Sequence, residues 1–280
     1  MNFGTQFYVP LFLCYIRFMR NFAICCNHEI PNSIQVRDKL IKILSNSGVV
    51  TKVLDIDGLK DGFDFVFVIG GDGTILKTAR FFAKSMTPVF GINLGRLGFL
   101  SQSSEQDIEN AVQKILDGKY IVQDRIMLKS GAYTALNDFV VKSCDTGRTS
   151  KFSLKINDKF VCDYMADGII ISTPTGSTAY GLSAGGPVLT PSLNAFVIVP
   201  ICPHTLTARP LVVPADEKIT ICVDTKAWVS GDGQETFEFD NEICVEKSDF
   251  NAKLALTDDS EFYSILKNKL HWATPPAYAK

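Results

Sequence analysis

An acid set among glycines is the most informative feature of this chain. Val66-Phe67-Val68-Ile69 runs into Gly70-Gly71-Asp72-Gly73-Thr74, and Ile75-Leu76-Lys77 follows. An apolar strand, a glycine turn and a helix start together aim backbone N–H groups and the positive end of a helix at an anion. Glycines let backbone approach a phosphate closely, so Gly70, Gly71, Gly73 and Thr74 are the candidate phosphate-binding positions. The turn is not a P-loop, since no Gly-Lys-Ser/Thr follows, and it is not the dinucleotide pattern G-x-G-x-x-G. Asp72 repels a polyanion, so its presence needs a reason. It takes a proton from an attacking hydroxyl, it holds a metal that bridges phosphates, or it caps the following helix.

Two further segments have the composition of ligand loops. Asn93-Leu94-Gly95-Arg96-Leu97-Gly98-Phe99-Leu100 follows another apolar strand. It belongs at the carboxyl edge of a parallel sheet, where open α/β folds bind ligands. Phe99 can stack on a base there; the other reading is a hydrophobic plug. The second segment runs from Asp167-Gly168-Ile169-Ile170-Ile171 through Ser172-Thr173-Pro174-Thr175-Gly176-Ser177-Thr178-Ala179-Tyr180 to Gly181-Leu182-Ser183-Ala184-Gly185-Gly186-Pro187. Its hydroxyls and exposed backbone suit ribose, base and phosphate oxygens. A merely solvated Ser/Thr loop has little need of so many glycines and prolines.

The elements that must position these segments fall into two textures. From Phe22 to Gly118, strands and helices alternate. Strands are expected at Phe22–Asn27, Val49–Leu54, Phe63–Ile69 and Pro88–Ile92. Helices are expected from Ile34 to Leu44, from the glycine turn through Ala83, and over Ser104–Leu116. That alternation predicts a parallel sheet with helices on both faces. From Tyr120 to Val245 strand follows strand, for example Asn137–Lys142, Phe152–Ile156, Gly168–Ser172, Phe196–Val199, Lys218–Val223 and Thr236–Phe239. This is the pattern of an all-β domain. Phe262–Leu270 reads as a helix again. The expected organisation is a 1–18 extension, an α/β domain over 19–118, an all-β domain over 119–250, and a tail over 251–280 packing back on the α/β domain.

Bulk composition narrows the function classes. The 280 residues carry a net charge of -2, so no broad basic field exists to hold nucleic acid or an anionic membrane. Eight cysteines are scattered without a C-x-x-C pair, and only three histidines occur. They read as small buried hydrophobes in a reducing cytoplasm, with a disulfide framework or a zinc site as the alternatives. The apolar stretch Phe7–Phe18 is interrupted by Pro10 and is too short to span a bilayer. Met19 directly precedes the first convincing strand and is a candidate true start.

Taken together, these segments resemble the NAD kinase family. Gly70–Thr74 alone is shared more widely, with diacylglycerol and sphingosine kinases and, more distantly, phosphofructokinases. The specific matches are Asn93–Leu100, Asp167–Pro187, Pro203-His204-Thr205-Leu206-Thr207-Ala208-Arg209-Pro210 and Ser230-Gly231-Asp232-Gly233-Gln234, in the family's order. The resemblance implies an α/β domain followed by a β domain, with the active site in the cleft between them. It implies phosphorylation of the adenosine 2′-hydroxyl of NAD by ATP. Asp72 matches the family's proton acceptor, with Gly73 contacting the ligand beside it and Phe99 next to the adenine. Asn137 and Asp138 match an Asn-Glu pair that holds nucleoside hydroxyls. Asp167 matches a carboxylate at the nicotinamide end. Thr175, Thr178, Ala179, Tyr180 and Ser183 match the loop around NAD; Arg148 and Gln234 match further ligand positions. Asp138 is the departure: one methylene shorter than Glu, it makes a ribose contact longer or water-mediated. The resemblance further implies Mg²⁺ or another divalent cation arriving with ATP and not ligated directly by protein, a homodimer or homotetramer whose NAD site a neighbouring subunit completes, and a cytoplasmic location. A lipid kinase on the same turn and a non-catalytic NAD(P) sensor are the competing readings.

Overall fold

The computed structural model describes residues 21–95, 98–144, 149–224, 226–257 and 261–270. The expected extension at 1–18, the candidate start at Met19, and Arg148 lie outside the described residues. The chain divides into two compact units. One takes in the chain up to Thr78, Thr87–Gln123, and everything from Leu254; the other is Ala79–Met86 with Asp124–Lys253.

The first unit is built on apolar runs that are buried on both faces, as a parallel sheet requires. Its elements are β1 (Asn21–Cys26), α1 (Ser33–Asn46), β2 (Val50–Asp55), β3 (Phe65–Ile69), α2 (Asp72–Phe82), β4 (Val89–Asn93), the short β5 (Ser103–Ser104), α3 (Ile108–Leu116) and β6 (Ile121–Arg125). Val36, Leu40 and Leu44 of α1 and Ile108, Ala111, Val112 and Ile115 of α3 fall at helical spacing. They pack on Phe22, Phe65, Phe67 and Phe90 from one face of the sheet. On the other face, a Cβ at Gly91 would come within 2.5 Å of Ile75 Cδ1, so a glycine lets α2 lie close to β4. The helix expected from Ser104 starts four residues later. Ser103 and Ser104 pair with Ile92 and Asn93 instead, and the turn that follows ends on Asp107.

The second unit is an antiparallel sandwich. Its strands are β7 (Leu128–Ser130), β8 (Tyr133–Ala135), β9 (Asp138–Ser143), β10 (Ser150–Ile156), β11 (Lys159–Ala166), β12 (Gly168–Ser172), β13 (Ala195–Ile201), β14 (Leu211–Pro214), β15 (Ile219–Val223), β16 (Ala227–Gly231), β17 (Glu235–Phe239) and β18 (Glu242–Lys247). One turn of helix, α4 (Tyr180–Ser183), interrupts them. They form two sheets, β11-β10-β15-β18-β7-β8 and β14-β13-β12-β9-β16-β17. Inward residues of both sheets make one core, with Phe139, Ile169, Ile171 and Phe196 facing Phe152, Leu154, Ile219 and Ile221. Ile170, on the opposite face of β12, is buried too. Leu189 covers it together with Val140, Val197 and Val199. The loop that leaves β12 therefore folds back over its own strand.

The chain then returns to the first sheet. β19 (Ala252–Leu256) pairs in parallel with β4, Leu254 opposite Val89, and gives the order β2-β1-β3-β4-β19-β6, with β5 alongside β4. α5 (Glu261–Leu270) follows. The stretch after residue 250 is thus a sheet strand before it is a helix. Among the described cysteines, none of which is disulfide-bonded, Cys25 and Cys26 are buried but Cys202 is exposed, so the buried-hydrophobe expectation applies only to some of them.

Phe67 is fully buried and meets the rings of Phe22, Phe65 and Phe90 at centroid distances of 6.0, 5.1 and 5.9 Å. Phe67→Ala should destabilise the first unit by about 3–5 kcal/mol. Chemical denaturation measures this, and an unchanged midpoint contradicts the packing described.

Candidate functional site

In the first unit, Asp72 opens α2 yet does not cap it. Its carboxylate reaches to the loop after β4. Oδ2 accepts the Phe99 N–H at 2.8 Å and Oδ1 accepts the Leu100 N–H at 3.3 Å. The loop is shaped for this. The Asn93 side chain accepts the Gly95 N–H at 2.8 Å, and Ser101 Oγ accepts the Gly98 N–H at 2.6 Å. A Cβ on Gly98 would overlap the Asp72 carboxylate, so residue 98 has to be glycine for the acid to sit here. A carboxylate offers about four lone-pair sites. Two are taken by backbone, and the half-buried group keeps acceptor capacity for a further hydroxyl.

The glycine turn divides its tasks. The Gly70 N–H is committed to the Ile92 carbonyl and the Thr74 N–H to Gly71 O, so neither is presented to an anion as the sequence suggested. Gly70 serves sterically instead: a Cβ there would meet the Thr74 side chain at 2.6–2.9 Å. Gly71 and Gly73 have open space where a Cβ would stand. Phe99 is half-buried, and Lys269 of α5 lies over its ring, Nζ 5.1 Å from the centroid.

In the second unit, Asn137 and Asp138 sit at a turn that is organised by an acid far away in sequence. Asp232, in a left-handed conformation (φ 54), has no side-chain exposure. Its carboxylate accepts the N–H groups of Leu136 at 3.0 Å, Asn137 at 2.7 Å and Asp138 at 3.3 Å. Arg80 Nη1 reaches it at 3.3 Å, and Arg80 also bonds the Thr134 carbonyl, Gln234 Oε1 at 3.5 Å and Glu235 at 2.7 Å. Asp138 itself is 5% exposed. Burial first, and the Asp232 charge second, push its carboxyl up to about 7. Burial raises Asp232 as well, against the three N–H bonds and the Arg80 guanidinium. Asp232 has the donors that favour its charged form, whereas Asp138 is the acid whose carboxyl is held up to about 7.

The hydroxyl loop is tied to the same turn. Thr173 N–H and Ser172 Oγ donate to the Asn137 carbonyl at 2.9 and 3.2 Å, and Thr173 Oγ1 donates to Leu136 O at 2.6 Å. Gly176 has no room for a Cβ against the Asn137 carbonyl. Ser177 Oγ donates to Pro174 O at 2.7 Å and accepts the Leu189 N–H at 2.9 Å, closing the loop over β12. Thr175 Oγ1 accepts from Arg125 at 3.3 Å. Thr178 and Ala179 are half-buried, while Tyr180 and Ser183 are exposed, with Lys142 Nζ 5.7 Å from the Tyr180 ring centre.

Asn137, Asp138, Thr175 and the residues up to Ser183 are therefore brought together. Gln234 Oε1 accepts from Arg80, which joins it to the Asp232 carboxylate. Asp167 does not join it. It is exposed at the opposite end of β12 from Ser172, and five residues of strand place it about 16 Å away. Sequence reasoning missed Arg80, Asp232, Gly98 and Lys269 as site residues. Asp232 and Gly98 lay inside segments the sequence singled out, Ser230–Gln234 and Asn93–Leu100, without a role of their own, and nothing local marks Arg80 or Lys269.

The comparisons with known proteins concern the family and the fold. Residues 51–120 match the model of the ATP-NAD kinase N-terminal domain, and residues 136–257 match that of the ATP-NAD kinase C-terminal domain. An NAD kinase of Carboxydothermus hydrogenoformans is 40% identical, with 82% of this chain and 88% of that one covered. An NAD kinase of Clostridium botulinum is 37% identical, covering 91% and 97%. Among solved structures, an NAD kinase from Archaeoglobus fulgidus in complex with ATP aligns with a TM-score of 0.76 at 30% identity, over 90% of this chain and 99% of that chain. Yeast NADH kinase complexed with NADH, at 24% identity and a TM-score of 0.81 over 94% and 90%, shares the fold.

The Asp138 environment has a stability consequence. In the unfolded chain an aspartate ionises near 3.9. The folded acid keeps its proton until about 7, so the native state binds more protons between those values. Stability is then greatest below the window and falls as pH rises through it. Asp138→Asn removes this titration. Between pH 5 and 8 the wild type should lose about 2–3 kcal/mol relative to the variant. Denaturant midpoints at the two pH values measure it, and parallel profiles contradict the assignment.

Proposed function

The chain belongs to the NAD kinase family, and on that premise we propose that it transfers the γ-phosphoryl group of ATP to the 2′-hydroxyl of the adenosine ribose of NAD⁺, yielding NADP⁺ and ADP. It is an NAD kinase enzyme by its relatives. The observation that carries the finer reading is the orientation of Asp72, fixed by the N–H groups of Phe99 and Leu100 with acceptor capacity to spare. In this reading Asp72 accepts the proton of the attacking 2′-hydroxyl as the new P–O bond forms. General-base assistance of this kind contributes about 10²–10⁴-fold.

The remaining residues act by binding and orientation. Asn137 and the 175–183 loop hold the dinucleotide, and Asp232 with Arg80 keeps that turn in shape. Phe99 lies beside the adenine. Among the described residues no group of three or more His, Cys, Asp or Glu side chains could hold a metal. In this reading Mg²⁺ or another divalent cation would arrive with ATP and would supply positive charge against the phosphates. Asp167, remote from the loop within one chain, fits a site that a second subunit completes. β11 exposes Phe160, Val161 and Met165, apolar surface of the kind that copies bury against one another. A homodimer or homotetramer and a cytoplasmic location are parts of the same proposal. No helix among the described residues is long and apolar enough to cross a membrane.

Asp72→Asn keeps the size of the side chain and removes the base. NAD binding should stay within a few-fold while turnover falls by at least about 10². A coupled assay for NADP formation with ATP and Mg²⁺ measures this; near-normal turnover removes the proton-acceptor role.

A further inference from the structure

Two arginines of the second unit are deeply buried, and their surroundings differ. Arg80 has acids to face, Asp232 and Glu235. Arg125, at the end of β6, is 5% exposed and has none among the described residues. Its one hydrogen bond is from Nη1 to Thr175 Oγ1, at 3.3 Å. Its buried Nε–H meets no acceptor. Desolvation lowers the guanidinium to about 10.

A guanidinium removed from water with no counter-charge is strongly unfavourable, and an apolar side chain of similar size would fill the space at less expense. Holding a threonine hydroxyl does not require a full charge. What arginine offers beyond that contact is a planar fork of donors matched to phosphate oxygens. Thr175 adds to it. Its oxygen accepts from Arg125, which leaves its own O–H to donate, and no described group receives that proton. Two donors with unused capacity thus sit side by side where the hydroxyl loop begins.

We propose that Arg125, with the Thr175 hydroxyl beside it, receives a phosphate group of the nucleotide ligands. The proposal rests on the kinase reading above and deepens it. The pyrophosphate of NAD and the phosphate chain of ATP share this chemistry, and the arms of the test separate them.

Calorimetric titrations of the full chain with NAD, with ATP and with adenosine, which has no phosphate, provide the test. They are run on wild type, Arg125→Met and Arg125→Lys. Arg125→Met should bind one of the two phosphate-bearing ligands at least about tenfold more weakly while adenosine stays within twofold, and the ligand affected identifies the phosphate. Arg125→Lys should recover part of the loss. If Arg125→Met does not fold, Thr175→Val takes its place, with an expected loss of about three- to tenfold for the same ligand. NAD and ATP both bound within twofold of wild type would overturn the proposal. So would adenosine weakening in parallel with NAD, because then Arg125 only shapes the loop. Failure of the wild type itself to bind NAD or ATP would overturn the kinase reading and this inference together, whereas normal wild-type binding with an unaffected variant sinks this inference alone.

Discussion

Two backbone N–H groups decide where the Asp72 carboxylate points. Phe99 and Leu100 each donate to one of its oxygens, so the acid is pinned across the turn by a second loop and not by its own helix. That contact depends on Gly98 having no side chain and on Asn93 and Ser101 holding the loop closed. Those residues in turn depend on β4, whose neighbours β3 and β19 set the sheet edge from which the loop departs. A carboxylate beside phosphates would otherwise be a liability, since like charges repel. Anchored by neutral donors, it can be aimed at a hydroxyl.

The second unit uses the same device to the opposite end. Asp232 also collects backbone N–H groups, three of them, and a guanidinium besides. Its acceptor capacity is consumed and its side chain is inaccessible, so it can only hold structure. Asp72 accepts two N–H groups and keeps acceptor capacity for more. Counting donors in this way separates a reactive carboxylate from a structural one with no appeal to motif. Asp138 lies between these cases. It is buried beside the Asp232 carboxylate, no described group donates to its own oxygens, and burial holds its carboxyl up to about 7.

Much of the fold was legible because burial on both faces leaves an obvious trace. Phe65–Ile69 and Ile169–Ile171 are unbroken apolar runs, and both proved to be central strands. The glycine turn announced itself by composition. What escaped was non-local. Ala252–Leu256 carries no sign that it pairs with β4, some 160 residues earlier, because parallel pairing leaves no local mark. Ser104 looked helical and was claimed by a two-residue pairing. Arg80 carries no local signal, since its acidic partner is 152 positions away. Gly70 and Thr74 looked like anion donors, yet their N–H groups close the strand and the turn.

The anchoring of Asp72 by the 98–100 loop is tested most directly by a double-mutant cycle on turnover. Gly98→Ala and Asp72→Asn are measured singly and together. If the loop acts only by aiming the carboxylate, adding Gly98→Ala to the Asp72→Asn enzyme leaves its turnover unchanged within about twofold, although Gly98→Ala alone slows the wild type severely. Slowing by the same factor in both backgrounds would mean that the loop and the acid act independently, and that the carboxylate's orientation is not what the glycine protects.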